Sequence, residues 1–413
     1  MRIVFSCPMA RPVFEPQYAG PFGGSEVRAA VFARGLAKRG VDVSVLVEGH
    51  GRLKPRTVEG VSLHYRCLPR PLRRSRDLPH AWQRIALAPY LAWQRGWRGL
   101  QKRWQPRSES PGVDPILADL AGDVYACFGV HEHAANVVTT ARRRGHPSLL
   151  FLASDTDLCD TYRTDNRARN AYGQRADVCR FVLDQATCIV AQTTQQQDLL
   201  RSRFGRDCEL IRNPIGRLPL AEVPNVERRE FDVLWLGRAD RFSKRADVAM
   251  ELATVCPDIK FLVVMNPRNT EVFAELAHSA PPNVQIRKTV PKEEVTRLLR
   301  QSRMLLNTSD AEGFPNTFLQ AAQLGVPIVS LHVDPERMLA EYDCGFCADG
   351  DRATLIEVMR TVAKSSVVSE RYGGGPSYVK QFHDADDRCD QLHRTLQMLL
   401  SAASNLSRVG AAA

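Results

Sequence analysis

The sequence lacks several features that would assign it to a special class of protein. No apolar run approaches the ~18–20 residues that a membrane-spanning helix requires. The start of the chain lacks the apolar core of a signal peptide, because Pro8 interrupts its first strand-like run. The 11 cysteines show no regular pairing, and the close pair Cys344 and Cys347 has no second pair or nearby histidines to complete a zinc site. We therefore expect a cytoplasmic protein whose cysteines are mostly buried thiols.

Length and composition are those of a large globular chain. The sequence has 413 residues, of which 44% are hydrophobic and 25% are charged, as is typical of a folded protein with sizeable cores. This composition excludes a disordered, collagen-like or disulfide-stapled chain. A chain of this length predicts two domains, or three.

The positive charge is concentrated in the first half of the chain. Residues 1–220 contain 33 Lys and Arg against 20 Asp and Glu, a net charge of +13, whereas the remaining residues have a net charge of −3. The amino-terminal half should therefore favour anionic partners.

Short apolar runs alternate with helical patterns along the whole chain. Runs rich in valine, such as Val41–Val47, are typical of buried parallel strands, and the helices between them predict doubly wound α/β layers. The pattern restarts at Phe231, after a charged stretch with prolines that predicts a linker near 216–230. The predicted fold is therefore α/β with two Rossmann-like domains. The predicted parts are domains over 1–218 and 219–388, a helix over 389–402 that packs back towards the first domain, and a flexible tail over 403–413.

One segment, residues 70–107, departs from this alternation of apolar runs and helical patterns. It contains ten Lys and Arg, one acidic residue and four of the five tryptophans. Trp93, Trp97 and Trp104 share one stripe of a helix, with basic residues elsewhere around it. Basic residues opposite tryptophans are typical of a helix at a membrane surface, so residues 82–104 are a candidate contact for an anionic membrane. A helix whose tryptophans pack on the protein would give the same pattern. So would a nucleic-acid contact, but no recognised nucleic-acid module accompanies the segment and no such partner is expected.

The first motif with chemical content is the glycine-rich stretch from Gly20 to Glu26, between the first strand and the first helix. Glycines let a ligand approach the backbone, and free N–H groups at a helix start attract phosphate. The spacing is not that of the dinucleotide fingerprint G-x-G-x-x-G. A tight turn would explain these glycines nearly as well.

The second motif is a pair of cations, Arg238 and Lys244, in the loop after the first strand of the second unit. In open α/β sheets the carboxyl ends of strands face the ligand crevice, so both cations could converge on a diphosphate. A unit charge at about 4 Å contributes roughly 4 kcal/mol at an effective dielectric constant of 20. Two ordinary surface cations would show the same spacing.

The third motif runs from Glu312 to Thr317, follows a strand, and opens a helix that carries Gln320. Backbone N–H groups at Asn316 and Thr317 would be exposed at the helix start and able to bind an anionic oxygen. Glu312 and Gln320 would add a carboxylate and an amide. This set suits a ligand with hydroxyls at both ends and phosphates between them, although Glu312 could also be a simple capping residue.

Taken in order, these motifs resemble those of the GT-B glycosyltransferases of glycosyltransferase family 4. The matching elements are Gly23-Gly24-Ser-Glu26, Asn213-Pro214-Ile215, Gly237-Arg238 with Lys244, and the stretch from Glu312 to Gln320 followed by Gly325 and Pro327. The resemblance extends from Met1 to about Leu400. It implies two Rossmann-like domains that face each other across a cleft.

The resemblance implies a role for each matching residue. Arg238 and Lys244 would hold the diphosphate of the donor and do the electrostatic work of a divalent metal, so that no metal or other cofactor is implied. Glu312 would contact the transferred sugar, assisted by the backbone amides of Gly313 and Phe314. The further donor-binding positions would be Gly23, Gly24, Asn213, Asn316, Thr317 and Gln320.

Gln320 departs from the family pattern, which usually has a second glutamate at this position to bind the nucleoside ribose. An amide can also hydrogen-bond two hydroxyls. We therefore expect weaker or altered donor binding, not loss of function.

Family members usually have a histidine near the transferred sugar, after a strand of the amino-terminal domain. His131 is the first candidate for this catalytic position, although a structural or solvent-facing histidine would fit equally well. His133 is the second candidate, placed on the acceptor side. Asp155 and Asp157 follow another strand and could also line the acceptor side, although ordinary caps of the next helix are the favoured explanation for them.

The resemblance implies a retaining hexosyltransferase that uses a UDP- or GDP-sugar. Its acceptor would be a glycan or a lipid-linked molecule in cell-surface polysaccharide or glycolipid synthesis. With residues 82–104 at the membrane, the protein would be cytoplasmic and peripheral at the inner face of the plasma membrane. The alternatives are a GT-B partner protein that binds a nucleotide-sugar with little or no transfer and, less favoured, a nucleotide-sugar epimerase or phosphorylase.

Overall fold

The computed structural model describes residues 1–18, 20, 22–51, 53–68, 111–163, 168–170, 173–216, 229–267, 269–365 and 371–411. The tryptophan-rich segment 70–107 lies outside these residues, and so does most of the predicted linker. The membrane contact predicted for residues 82–104 therefore stays a prediction. Within the described ranges, each helix falls short of the length or the hydropathy needed to cross a bilayer.

The first lobe contains an eight-stranded sheet. Its strands are β1 (Arg2–Ser6), β2 (Asp42–His50), β3 (Arg56–Val58), β4 (Val61–Leu68), β5 (Val124–Phe128), β6 (Ser148–Phe151), β7 (Cys188–Ala191) and β8 (Glu209–Leu210). In the order β3-β4-β2-β1-β5-β6-β7-β8, every neighbouring pair is parallel except the β3–β4 hairpin. The valine-rich runs of the sequence form the central strands, as predicted.

Helices connect these strands and cover both faces of the sheet. They are α1 (Arg11–Phe14), α2 (Gly24–Lys38), α3 (Pro115–Asp119), α4 (Glu132–Arg143), α5 (Ala176–Gln185) and α6 (Thr194–Phe204), with 3-10 turns at Pro8–Ala10, Asp155–Leu158 and Asp160–Arg163. Local sequence sets their ends: Thr193 accepts a hydrogen bond from the Gln196 amide at the start of α6, and Gly205 ends it with a left-handed φ of 63°.

The second lobe contains a six-stranded sheet in which every neighbouring pair is parallel. Its strands are β9 (Phe231–Arg238), β10 (Phe261–Asn266), β11 (Val284–Arg287), β12 (Ser302–Asn307), β13 (Ile328–Ser330) and β14 (Gly345–Cys347), in the order β11-β10-β9-β12-β13-β14. Its helices are α7 (Ala246–Val255), α8 (Thr270–His278), α9 (Lys292–Arg300), α10 (Asn316–Gln323), α11 (Met338–Glu341), α12 (Arg352–Lys364) and α13 (Gly375–Phe382), with a 3-10 turn at Pro335–Arg337.

Each sheet is buried on both faces, which explains the continuous apolar strands. Two separate apolar clusters flank the first sheet and two flank the second. Among the residues that the structure describes, Trp235 is the largest fully buried side chain, and its indole nitrogen donates to Thr308 Oγ1 at 2.8 Å. The structure therefore confirms the predicted α/β class and its two doubly wound parallel sheets.

The last helix returns to the first lobe. Helix α14 (Ala385–Ala411) begins four residues before the predicted helix and continues through the segment predicted as a flexible tail. Its residues Cys389, Leu392 and Leu396 join an apolar cluster of the first lobe. Asp390 also forms an ion pair with Arg39 at 2.6 Å.

Candidate active site

A cavity of about 510 Å³ lies between the two lobes, at the carboxyl ends of both sheets. The first lobe lines it with the start of α2, from Gly23 to Arg28, and with the loop that follows β6. The second lobe lines it with the ends of β9 and β10 and with the loop from Ala311 to Thr317. The glycine-rich, cationic and glutamate motifs of the sequence therefore meet in one cleft.

Lys244 and Glu312 form an ion pair in this cavity, between Lys244 Nζ and Glu312 Oε1. Ser309 donates its hydroxyl to the same carboxylate oxygen at 2.8 Å. The side chain of Lys244 is 25% exposed and that of Glu312 is 15% exposed, so the pair is partly shielded from water but open to a ligand.

Asp240 organises the cationic loop. Its carboxylate accepts hydrogen bonds from the backbone amides of Ser243 at 3.0 Å and Lys244 at 2.7 Å. The other oxygen lies 3.4 Å from Arg238 Nε, and Arg238 also donates to the Ser243 hydroxyl at 3.3 Å. The loop therefore presents both predicted cations to the cavity in a fixed arrangement.

The loop that carries Glu312 packs closely against the first lobe. A methyl group built on Gly313 would lie 2.8 Å from Gln192 Nε2 and 2.9 Å from Gln196 Nε2, closer than real contacts of this kind. An alanine at position 313 would therefore have to displace these buried amides or move the Glu312 loop away from the first lobe.

The starts of α2 and α10 touch each other across the cleft. Asn316 donates its side-chain amide to the carbonyl of Gly24 at 3.0 Å. Helix α10 begins after Pro315 without a side-chain cap, and Asn316 and Thr317 both line the cavity. At the facing helix, the amide of Gly23 donates to Glu26 Oε2 at 2.7 Å.

Two family models match consecutive parts of the chain. The glycosyl transferase 4-like domain matches residues 23–216, and glycosyl transferases group 1 matches residues 230–365. This chain belongs to the group 1 glycosyltransferases. Among curated proteins, no sequence matches it significantly.

Solved structures share the fold of this glycosyltransferase at low sequence identity. Sucrose-phosphate synthase from Thermosynechococcus elongatus aligns with a TM-score of 0.66 at 12% identity, over 97% of this chain and 99% of that chain. WaaG, a glycosyltransferase involved in lipopolysaccharide biosynthesis, aligns with a TM-score of 0.56 at 15% identity, over 94% of this chain and 98% of that chain. TarM of S. aureus aligns with a TM-score of 0.54 at 11% identity over 69% of this chain, and the match spans only 57% of TarM. The predicted GT-B fold is confirmed.

Gln320 of the glycosyltransferase lines an adjoining cavity of about 210 Å³. This second space lies between α2 and α10, and its walls include Val27, Val31 and Leu319. It shares Asn316 and Thr317 with the main cavity. Gln320 therefore faces a more apolar compartment than Glu312 does.

His131, predicted as the catalytic histidine, caps helix α4. Its Nδ1 accepts a hydrogen bond from the Ala134 amide at 3.2 Å, and burial lowers the pKa of its imidazole. It is not among the residues that line the main cavity. The second candidate, His133, forms a 2.8 Å hydrogen bond with the Ser6 hydroxyl, and burial together with the charge of His131 lowers its pKa to about 4.

Asp157 and Asp155 have different surroundings. Asp157 accepts hydrogen bonds from the backbone amides of Val130 at 3.1 Å and Ala153 at 2.6 Å, so it joins the loops that follow β5 and β6. Asp155 accepts from Gln196 Nε2 at 3.0 Å. Burial, with the nearby charges of Asp157 and Glu312, raises the pKa of Asp155 to about 6.

Asp155 and Glu312 also share a third cavity, of about 620 Å³, on the other side of the Glu312 loop. Of the two aspartates, Asp155 is therefore the one that faces the second lobe. The helix cap expected nearby is shared: the Ser154 hydroxyl accepts from the Thr156 amide at 3.3 Å, and Asp157 accepts from the Ser154 amide at 3.2 Å.

Several polar residues of the site were not predicted. Asp240 and Ser309 hold the cations and the glutamate, and a signal for Asp240 was present in its position two residues after Arg238. Arg28, Gln192 and Gln196 are buried beneath the Glu312 loop. Across the part of the chain that the structure describes, no cluster of three or more His, Cys, Asp or Glu side chains is arranged to hold a metal ion.

Proposed function

We propose that this glycosyltransferase transfers a hexosyl unit from a nucleotide-sugar to an acceptor hydroxyl, with retention of configuration. One observation carries the proposal: Lys244 and Glu312 form a direct pair in a cleft that Arg238 and the start of α10 also line. A cation beside a carboxylate can serve a ligand that carries phosphate next to hydroxyl groups. The complex of the structurally similar TarM with UDP is consistent with such a ligand.

The diphosphate would bind to Arg238, Lys244 and the backbone amides at Asn316 and Thr317. Each cation near 4 Å contributes roughly 4 kcal/mol at an effective dielectric constant of 20. Negative charge grows on the diphosphate as the glycosidic bond breaks, so these groups would stabilise the transition state more than the ground state. In this proposal the protein cations do the work that a divalent metal does elsewhere. Gly23 and Gly24 would let the phosphates approach the start of α2.

The transferred sugar would lie against Glu312 and the amides of Gly313 and Phe314. The acceptor hydroxyl would attack the anomeric carbon on the face that the diphosphate leaves. The bond from that carbon to the phosphate oxygen breaks, and the acceptor proton passes to the leaving phosphate. His131 or His133 would contribute to the sugar side, although Nδ1 of His131 and Nε2 of His133 are already hydrogen-bonded within the first lobe.

The acceptor would bind to the first lobe. In this division, residues 1–218 bind the acceptor and residues 219–388 bind the donor. The net charge of +13 over residues 1–220 favours an anionic or lipid-linked acceptor at the cytoplasmic face of a membrane. The involvement of WaaG in lipopolysaccharide biosynthesis agrees with an acceptor of this class. Asp155 is the acidic side chain of this lobe that would meet the acceptor near Glu312.

A second candidate function is a nucleotide-sugar-binding partner protein with little transfer activity. The observation that favours it is Gln320, an amide where the family usually has a carboxylate. A nucleotide-sugar that binds without turnover, even with a membrane lipid extract present, would support this candidate.

The test is slow hydrolysis of a panel of UDP- and GDP-sugars by the purified protein. We expect nucleotide release from at least one donor, and loss of this release in Lys244→Ala and Glu312→Gln. The matched control is Arg241→Ala, because Arg241 lies on the same loop and pairs instead with the exposed Glu275. Release that persists in Lys244→Ala, or that Arg241→Ala abolishes equally, would contradict the proposed site.

A further inference from the structure

Arg28 is a buried cation in the wall of the main cavity. It lies on α2, two residues after Glu26, and is only 2% exposed. Its guanidinium donates to Asn213 Oδ1 at 2.9 Å and to the carbonyl of Leu152 at 2.6 Å. Burial lowers the pKa of Arg28 to about 9, against the opposing effect of the Asp157 charge, and the guanidinium lies over the rings of Phe128 and Phe151, 5.3 Å from each centroid. Burial of a guanidinium costs desolvation free energy, so a contribution to stability does not by itself explain Arg28.

The partner of Arg28 is a side chain with two chemically different ends. Asn213 is 3% exposed, and its amide nitrogen lies 2.8 Å from Gln192 Oε1, 3.1 Å from the Phe314 carbonyl and 3.2 Å from Asn316 Oδ1. All three of these are acceptors. A guanidinium can only donate, so the end of Asn213 that faces Arg28 must be its oxygen. Arg28 therefore holds the oxygen end of the amide and the Phe314 carbonyl holds its nitrogen end, so both contacts favour the same orientation.

The orientation of Asn213 matters because it joins the two lobes. Phe314 is two residues from Glu312, and Asn316 opens α10. Because its amide nitrogen faces the Phe314 carbonyl and Asn316 Oδ1, Asn213 hydrogen-bonds both of these second-lobe groups to the first lobe. If the amide turned over, its oxygen would face the Phe314 carbonyl and repel the loop.

We propose that Arg28 is a positioning residue of the transfer reaction. By fixing the amide of Asn213, it holds the Glu312 loop and the start of α10 against the first lobe. This inference rests on the function proposed above for Glu312, and Arg28 itself need not touch the substrate. It differs from the donor-binding role that the sequence predicted for Asn213, because here Asn213 acts on the protein.

The first test compares Arg28→Met, Arg28→Lys and the control Arg34→Met in hydrolysis of a nucleotide-sugar that the wild type turns over. Arg34 lies on the same helix and pairs with Glu59 at the surface. A misplaced catalytic loop should lower kcat about 10- to 100-fold in Arg28→Met. Arg28→Lys keeps a cationic donor group but reaches fewer partners, so its kcat should lie between those of Arg28→Met and the wild type. UDP and GDP should bind Arg34→Met within about threefold of the wild type. In Arg28→Met the loss of kcat should exceed the loss of UDP or GDP affinity, because the Glu312 loop serves the sugar and only the start of α10 serves the diphosphate.

Asn213→Asp provides an independent variant. It keeps an oxygen for Arg28 but replaces the donor that faces Phe314 and Asn316 with a second acceptor. We expect it to lower kcat as much as Arg28→Met does. If the Asn213→Asp variant hydrolysed the nucleotide-sugar at the wild-type rate, the orientation of the amide would be irrelevant and the inference would be wrong.

Hydrogen exchange gives a readout that does not depend on activity. Amides over residues 311–320 should exchange at least about fivefold faster in Arg28→Met, with β10 unchanged and with no effect in Arg34→Met. Equal acceleration along the whole chain, or none over 311–320, would overturn the inference. A wild type that hydrolyses no donor would instead count against the proposed function, while this exchange difference could still be measured.

Discussion

Replacing Glu312 by glutamine separates the two roles proposed for the Lys244–Glu312 pair. In the structure the lysine is held by the carboxylate, and that carboxylate is also fixed by Ser309. A diphosphate that enters the cleft must compete for the lysine. Glu312→Gln removes the competing charge and keeps the size of the side chain. We therefore predict that the variant loses turnover but binds a nucleoside diphosphate more tightly.

The size of the expected change in UDP or GDP affinity follows from the environment of the Lys244–Glu312 pair. Its two side chains are 25% and 15% exposed, so each ion is partly desolvated. The attraction of roughly 4 kcal/mol at an effective dielectric constant of 20 is largely offset by lost hydration, which leaves about 1 kcal/mol. Release of Lys244 should therefore tighten UDP or GDP binding by about fivefold. Lys244→Met should weaken the same binding about 30-fold, because it removes a cation from beside the phosphates.

Titration calorimetry with UDP and GDP at fixed ionic strength measures both effects. The control is Glu275→Gln, which removes the same charge from an exposed pair in the second lobe and should change affinity less than about twofold. A tenfold weaker affinity in Glu312→Gln, with Glu275→Gln unchanged, would show that the carboxylate holds the nucleotide instead of competing with it. The proposed division of roles would then be refuted.

Three further predictions concern other parts of the molecule. Gly313→Ala should lower donor turnover at least about tenfold, because the added methyl group meets Gln192 and keeps the lobes apart; wild-type turnover would contradict this. Asp155→Asn should raise stability to urea by about 1–2 kcal/mol at pH 8, where the native carboxylate is ionised although burial raises its pKa to about 6. The gain should vanish near pH 4, where Asp155 is protonated in the folded protein, and a gain that persists at pH 4 would exclude ionisation as its cause. Trp93→Ala combined with Trp97→Ala should reduce binding to anionic liposomes without changing UDP binding, and unchanged liposome binding would remove the membrane contact predicted for 82–104.

Both members of the central ion pair could be predicted separately, but their contact could not. Lys244 and Glu312 each follow a strand of the second unit, and sequence patterns placed both at the carboxyl edge of a sheet. Their contact depends on β9 and β12 being neighbours, although β10 and β11 come between them in the chain. Strand order is a property of long-range packing, so the apolar pattern of each strand does not contain it.

The buried polar network under the Glu312 loop shows a second limit of sequence analysis. Gln196 is completely buried and Gln192 nearly so, yet both occur in an ordinary-looking polar stretch at the start of α6. Their burial and their hydrogen bonds distinguish them from surface residues, and both depend on the tertiary structure. The role of His131 is equally hard to predict from the sequence, because a residue that caps a helix and a residue that contacts a sugar can have identical sequence surroundings.

Charge acts in this protein both through close contacts and over longer distances through solvent. The second lobe supplies the close contacts, and the first lobe supplies most of the long-range charge. The cations proposed to hold the diphosphate, Arg238 and Lys244, belong to the half of the chain with a net charge of −3. Their effect depends on a partly desolvated cleft, where screening by salt is weak. The excess of +13 in the other half acts mainly through solvent and decays over about 8–10 Å at physiological ionic strength. Net charge therefore bears on the approach of an acceptor or a membrane, whereas donor recognition follows from the few contacts around Lys244 and Glu312.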